Sequence, residues 1–201
     1  MKTSCIVVLS LAVCATGTLH ASDKKDKEKG MEMHASMEEA IKRGSPGEHH
    51  AALEPFAGRF TTTSRMWMNP GEAPQKSVGT AEHSWVLGSR FLKMDVRGDM
   101  GGQQFEGLGY LGYDNVRGEY TSAWLDNMNT GITRGSGNYD RASKTYKESG
   151  AFSCSMTGEK DMRFRAEWKV IDRDIFLYIM YSLAPDGREV KSVEVTYKRR
   201  K

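Results

Sequence analysis

The sequence predicts an all-β fold, an up-and-down antiparallel barrel of about ten strands preceded by a short helix. Three observations predict it. From Gly58 onward, chain-reversal signals recur about every twelve to sixteen residues: Asn69-Pro70-Gly71, Leu87-Gly88, Met100-Gly101-Gly102, Asp114-Asn115, Asn127-Met128-Asn129, Asp140-Arg141, Met156-Thr157-Gly158, Asp172-Arg173-Asp174 and Pro185-Asp186-Gly187. Between them the side chains alternate with period two. Phe164, Ala166, Trp168 and Val170 face one way and Arg163, Arg165, Glu167 and Lys169 the other; Val193, Val195 and Tyr197 likewise oppose Ser192, Glu194 and Thr196. Third, connections this short join only antiparallel neighbours, because a parallel pair needs a crossover of about a dozen residues. An open sheet of ten strands would leave two unpaired edges, and closure removes both.

The elements follow in chain order. Residues 1–21 read as a secretory signal: Lys2 gives a positive start, Ile6 to Ala15 an apolar stretch, and Thr16 to Ala21 mostly small residues before polar Ser22. Cleavage after Ala21 would export the chain, to a periplasm or to the medium. A minor alternative is a lipoprotein anchored at Cys14, through Leu11-Ala12-Val13-Cys14. Residues 22–44 contain no aromatic residue, open with a charged run, and read as a charged linker. Ser45-Pro46-Gly47-Glu48 matches a capping box, with Ser45 as N-cap, Pro46 at the first helical position and Glu48 closing the box. The helix that follows would present Ala52, Leu53 and Phe56 on one side and end at Pro55 and Gly58. Residues 45–201 thus form one β-barrel domain with an N-terminal capping helix. Each of its ten strands has room for about ten residues, a length suited to a barrel wall.

Composition removes several classes. Of the 201 residues 38% are hydrophobic, which excludes wholesale disorder, and no apolar run after the N-terminal segment is long enough for a membrane-spanning helix. The net charge of +3 is not a basic face, because Gly58 to Tyr197 holds 18 basic and 18 acidic residues and the surplus is the terminal Lys198, Arg199, Arg200 and Lys201. Nucleic acid is therefore not the expected partner. With Cys5 and Cys14 in the signal segment, Cys154 is left alone, so no internal disulfide is expected and stability must come from core burial. Ser153 and Ser155 offer it no base, and a packed or exposed thiol is the reading.

Gly58-Arg59-Phe60, Trp67-Met68-Asn69-Pro70-Gly71, Leu87-Gly88-Ser89-Arg90-Phe91-Leu92, Phe105-Glu106-Gly107, Gly112-Tyr113-Asp114, Trp124-Leu125-Asp126-Asn127-Met128, Met156-Thr157-Gly158, Pro185-Asp186-Gly187 and Val195-Thr196-Tyr197-Lys198-Arg199 occur in one order. As a set, over about residues 47 to 200, they resemble the bacterial family called domain of unknown function 1579. The resemblance implies a lipocalin-like or calycin-like barrel and brings no assigned activity. Phe60 stands where such sequences commonly carry Trp, and a Phe can still plug the barrel end.

Candidate chemistry is sparse. Trp124 and Asp126 share a strand face; if Trp124 points inward so does Asp126, and an inward carboxylate needs a partner, with Arg90, Arg134, Arg165 and Arg199 as candidates. Tyr197 and Arg199, two apart on the last strand, resemble in reverse order the Arg-x-Tyr pair with which intracellular fatty-acid carriers hold a carboxylate. His83 and Trp85 share a face of the second strand, with Arg90 past the next turn; His83 would be the natural acid or base. The candidate ligand-binding set is therefore His83, Trp85, Arg90, Trp124, Asp126, Arg165, Tyr197 and Arg199. The chain holds no nucleophile-elbow triad, no His-Glu-x-x-His and no paired-carboxylate motif. Met31, Met33, His34 and Met37, with His49 and His50 further on, are the only metal-like cluster, and their spacing sets no coordination geometry, so no metal or other cofactor is expected. Gly107-x-Gly109-x-x-Gly112 mimics a dinucleotide fingerprint but lies inside a strand with no helix after it, where glycines permit coiling of the wall. Three readings stay open: a carrier of a small apolar or amphiphilic molecule, an envelope module with a filled barrel, and an enzyme on the same scaffold.

Overall fold

In the computed structural model the described residues are 23–69, 71–184 and 187–201, with backbone alone for 23–28. The signal segment with Cys14 lies outside them. Among the described residues no helix is long and apolar enough to cross a membrane. The chain divides between Lys42 and Arg43 into two units.

The first unit carries helix α1 (Asp23–Arg43) except for its last residue. The segment read as a charged linker is thus helical. Its Lys, Glu, Met and Ala residues are good helix formers, and His34 and Glu38, one turn apart, approach to 3.5 Å. Composition without aromatics correctly implies a segment without a core of its own, and it says nothing against a solvated helix.

In the second unit a short helix α2 (Glu48–Ala51) and a 3₁₀ turn (Glu54–Phe56) precede ten strands: β1 (Gly58–Met66), β2 (Gln75–Val86), β3 (Phe91–Met100), β4 (Gln103–Asp114), β5 (Glu119–Asp126), β6 (Thr133–Asp140), β7 (Thr145–Phe152), β8 (Met162–Val170), β9 (Ile175–Leu183) and β10 (Glu189–Arg199). Each pairs antiparallel with its neighbours in sequence, and β1 pairs with β10 from Phe60 opposite Arg199 to Met66 opposite Val193, closing the barrel. The predicted closed up-and-down barrel of ten strands is the observed fold. One irregularity in β10 falls between Lys191 and Val193, and the alternation of Val193, Val195 and Tyr197 runs on from it.

The helix start differs from the expectation. The N-cap is Gly47, not Ser45, and His50 replaces Glu48: its Nδ1 accepts a hydrogen bond from the Gly47 N–H at 3.1 Å. The Ser45 carbonyl is held instead by the Asn115 side chain at 2.8 Å, which ties this stretch to the β4–β5 turn and delays the helix by two residues.

α2 and the 3₁₀ turn form a plug across the barrel end where β1 begins and β10 ends. Leu53 and Phe56 are wholly buried there, each burial stabilising by about 1.5–3 kcal/mol. Phe56 meets Phe176 edge to face at 5.1 Å, and Phe176 stacks on Tyr197 at 4.3 Å. Phe60, in the place where Trp was the expectation, is fully buried against Phe176 and Tyr197. Polar ties hold the plug down: Tyr120 Oη donates to the His49 carbonyl at 3.0 Å, and Arg141 pairs with Glu48 at 3.0 Å.

Candidate binding site in the barrel interior

Inward positions differ between the two ends. Near the plug, Phe60, His83, Leu92, Leu111, Tyr120, Tyr146, Trp168, Phe176 and Tyr197 are all buried. Toward the other end the inward side chains of Ser64, Met66, Val96, Phe105, Trp124, Phe152, Met180 and Ser182 keep partial solvent access. Tyr178 marks the boundary. Desolvation raises its phenol well above the ordinary tyrosine range, yet its surface is only half-buried. The far half of the interior, the cup, is thus less closed to solvent than the plugged half, although Phe164 within it is 2% exposed.

Glu148 of β7 sits at the floor of this cup, 5% exposed. Three neutral donors converge on its carboxylate. Trp168 Nε1 donates to Oε1 at 2.9 Å, Tyr146 Oη to Oε2 at 3.1 Å, and Ser122 Oγ also to Oε2. Among the described residues no Lys, Arg or His forms an ion pair with it. Burial first, and the Glu148 charge second, push the Tyr146 phenol up as well. Gly135 makes room for this cluster, since a Cβ there would lie 2.6 Å from Glu148 Oε2 and 2.9 Å from Ser122 Oγ.

The predicted residues separate into three groups. His83, Trp85, Arg90 and Arg199 hold the plug. His83 Nδ1 bonds the Phe56 carbonyl at 2.8 Å, and since a carbonyl only accepts, Nδ1 carries the proton and buried Nε2 is left without a partner. Burial holds the His83 pKa down to about 4, so the ring is neutral at pH 7. Trp85 Nε1 donates to Glu54 at 2.8 Å, and Arg90 Nε to the Gly44 carbonyl at 2.8 Å. Arg199 is neither solvated nor free for a ligand carboxylate: its guanidinium donates to the carbonyls of Ala57 at 2.6 Å, Pro55 at 3.0 Å and Arg173 at 3.3 Å, and lies over the Phe60 ring. Gly58 permits that clamp, with φ of 131° and a would-be Cβ only 2.1 Å from Arg199 Nη1. A cleft of about 360 Å³ beside Gly58, Arg59, Arg199, Arg200 and Lys201 lies at this end, away from the Glu148 cup, and its central arginine is already occupied. Tyr197 is wall, stacked on Phe176.

Trp124 and Asp126 stand in the open half, facing inward together as the two-residue spacing requires. The expected arginine partner for Asp126 is replaced by neutral donors: Trp124 Nε1 donates to Oδ2 at 3.0 Å, and the Met128 N–H and Asn129 side chain to Oδ1 at 3.0 and 3.3 Å. This pins the indole flat over Gly107 and Gly109, where a Cβ would meet it at 2.3 and 2.9 Å. Those glycines of the pseudo-fingerprint are thus seats for an aromatic wall. Arg165 forms the third group alone. It faces outward, forked onto Glu189 at 2.7 and 2.6 Å, and never reaches Asp126.

Glu148 itself escaped the sequence reading. The available signal was an acid on the inward parity of β7, with Tyr146, Gly150 and Phe152.

Residues 45–199 match the family described as "Protein of unknown function (DUF1579)", and the chain belongs to that family. None of the curated proteins matches it. Among solved structures, the crystal structure of Rv2717c from M. tuberculosis is similar at 15% identity and a TM-score of 0.61, covering 78% of this chain and 100% of that one. A redesigned β-barrel, 14% identical, covers 75% of this chain and 96% of its own with a TM-score of 0.38. At such identity the first likeness supports the barrel fold alone.

Proposed function

We propose that this DUF1579 protein binds a small, partly apolar molecule inside its barrel, admitted through the end opposite the helical plug. One observation supports the reading: beyond Tyr178 inward Val96, Phe105, Trp124, Phe152 and Met180 keep partial solvent access, although Phe164 among them is buried, and a hydrogen-bonded carboxylate lies at the boundary. An apolar wall with a few convergent polar groups is the usual make-up of a small-molecule site. Residues 1–21 support export of the carrier to a periplasm or the medium, and sequencing of the mature N-terminus, expected at Ser22, checks that part.

The binding itself is tested by native mass spectrometry of protein taken from its own cells, with uptake of the neutral probe N-phenyl-1-naphthylamine as a second readout. A co-purifying mass and enhanced probe fluorescence are expected, both lost in Met180→Trp, which fills the open half. A bare protein mass together with no probe uptake would remove the proposal.

A further inference from the structure

Resting on the interior-binding reading, we infer that the ligand is cationic, presenting a protonated amine to Glu148 and laying its apolar body toward the open half of the barrel. The argument begins with acceptor capacity. A carboxylate offers about four lone-pair directions. Ser122 and Tyr146 use Oε2 and Trp168 uses one direction on Oε1, which leaves Oε1 a further place for a donor.

Charge points the same way. All three donors are neutral, so hydrogen bonds are satisfied while the negative charge is not. Buried carboxylates are ordinarily matched by a cation, because an uncompensated one carries a large desolvation cost. The cations of the neighbouring strands face outward: Lys147 and Lys169 are exposed, and Arg165 is committed to Glu189 and Glu167. A ligand ammonium supplies the missing partner, whereas a carboxylate ligand meets like charge at the cavity floor.

The walls suit such a guest. Trp168 and Tyr178 lie 4.7 Å apart beside the carboxylate, and Trp124 is held flat against the wall further out. Aromatic faces attract cations and cover alkyl groups equally well. Gly135 keeps the floor open, since any side chain there would crowd Glu148 and Ser122.

Calorimetric titration of the full chain with n-octylamine, n-octanol and octanoate at pH 7 tests the inference with one alkyl length and three head groups. The amine is expected to bind at least about tenfold more tightly than the alcohol, with octanoate weakest. Glu148→Gln is expected to bring amine and alcohol within about threefold of each other. Equal or tighter binding of octanol or octanoate by the unaltered chain overturns the cationic assignment and leaves interior binding standing. Failure of all three, with no uptake of N-phenyl-1-naphthylamine, removes interior binding itself. The ranking of head groups on the unaltered chain decides even if the Gln variant does not fold.

Discussion

The two halves of this barrel share ten strands and one alternation of side chains, yet one half is closely packed and most large inward side chains of the other keep partial solvent access. Near the plug, large rings interlock: Phe56, Phe60, Phe176, Trp168 and Tyr197 each lie 4.3 to 6.3 Å from at least two of the others. Beyond Glu148 the inward positions mix Gly79, Gly107, Gly109, Gly135, Gly150, Ser64 and Ser182 with Phe105, Trp124, Phe152, Phe164 and Met180, of which all the large ones but Phe164 keep partial solvent access. Burial is therefore uneven along the barrel axis. Aromatic burial is concentrated where the helices close the end.

The sharpest way to break this comparison is to truncate one residue of each half on the same strand. Phe176 and Met180 both face inward on β9; the first is 1% exposed and the second half-buried. Phe176→Ala is expected to cost about 3–5 kcal/mol, because its neighbours are locked by one another and cannot collapse into the hole. Met180→Ala, at a position already partly open to solvent, is expected to cost about 1 kcal/mol or less. Urea denaturation of the two variants decides, and equal losses would mean that the far half is core as well.

A second effect belongs to the plugged half alone. His83 is held neutral by burial, which outweighs the raising influence of the Phe56 carbonyl and Asp95, and Arg199 pushes the same way as burial. Its folded pKa of about 4 lies below the unfolded 6.5, so the unfolded state binds the proton more readily. The contribution is present in full above pH 6.5 and disappears as the pH falls toward 4, a loss of up to about 3 kcal/mol. His50, lowered mainly by burial as well, adds in the same direction. Denaturation midpoints between pH 7 and 4 should fall accordingly, with the His83 ring resonances unshifted through pH 5. A ring that titrates near 6.5 would show that the plug does not exclude water.

The same division explains what the sequence could disclose. Turn signals counted the strands correctly, because Gly, Pro and Asn are demanded locally wherever the chain reverses. Alternation assigned faces just as well: it placed Arg165 opposite Trp168, and the structure keeps them apart. Neither signal says at which end of the barrel a residue lies. His83, Trp85, Arg90 and Arg199 therefore looked like possible ligand contacts, whereas their partners, Phe56, Glu54, Gly44 and Ala57, belong to a plug whose docking no local pattern encodes. Glu148 was hidden for a related reason. In Lys147-Glu148-Ser149 it looks like surface, and only its donors on β5, β7 and β8 show it as a buried inward carboxylate.

The smallest expected effect probes the outer wall, where neither half of the interior is touched. Arg165 sits between Glu167 at 2.6 Å and Glu189 at 2.7 and 2.6 Å, with its guanidinium 4.3 Å above the Tyr181 ring. Geometry this good would dominate if it were buried, but these groups are partly open to water, which screens the pair and leaves it weak. Arg165→Ala should lower the denaturation midpoint only slightly, and the difference should shrink in about 1 M salt. Probe uptake by the interior should not change. A large fall in uptake would place Arg165 in contact with the cup, against the parity of β8, and would show that the outer wall and the container are coupled.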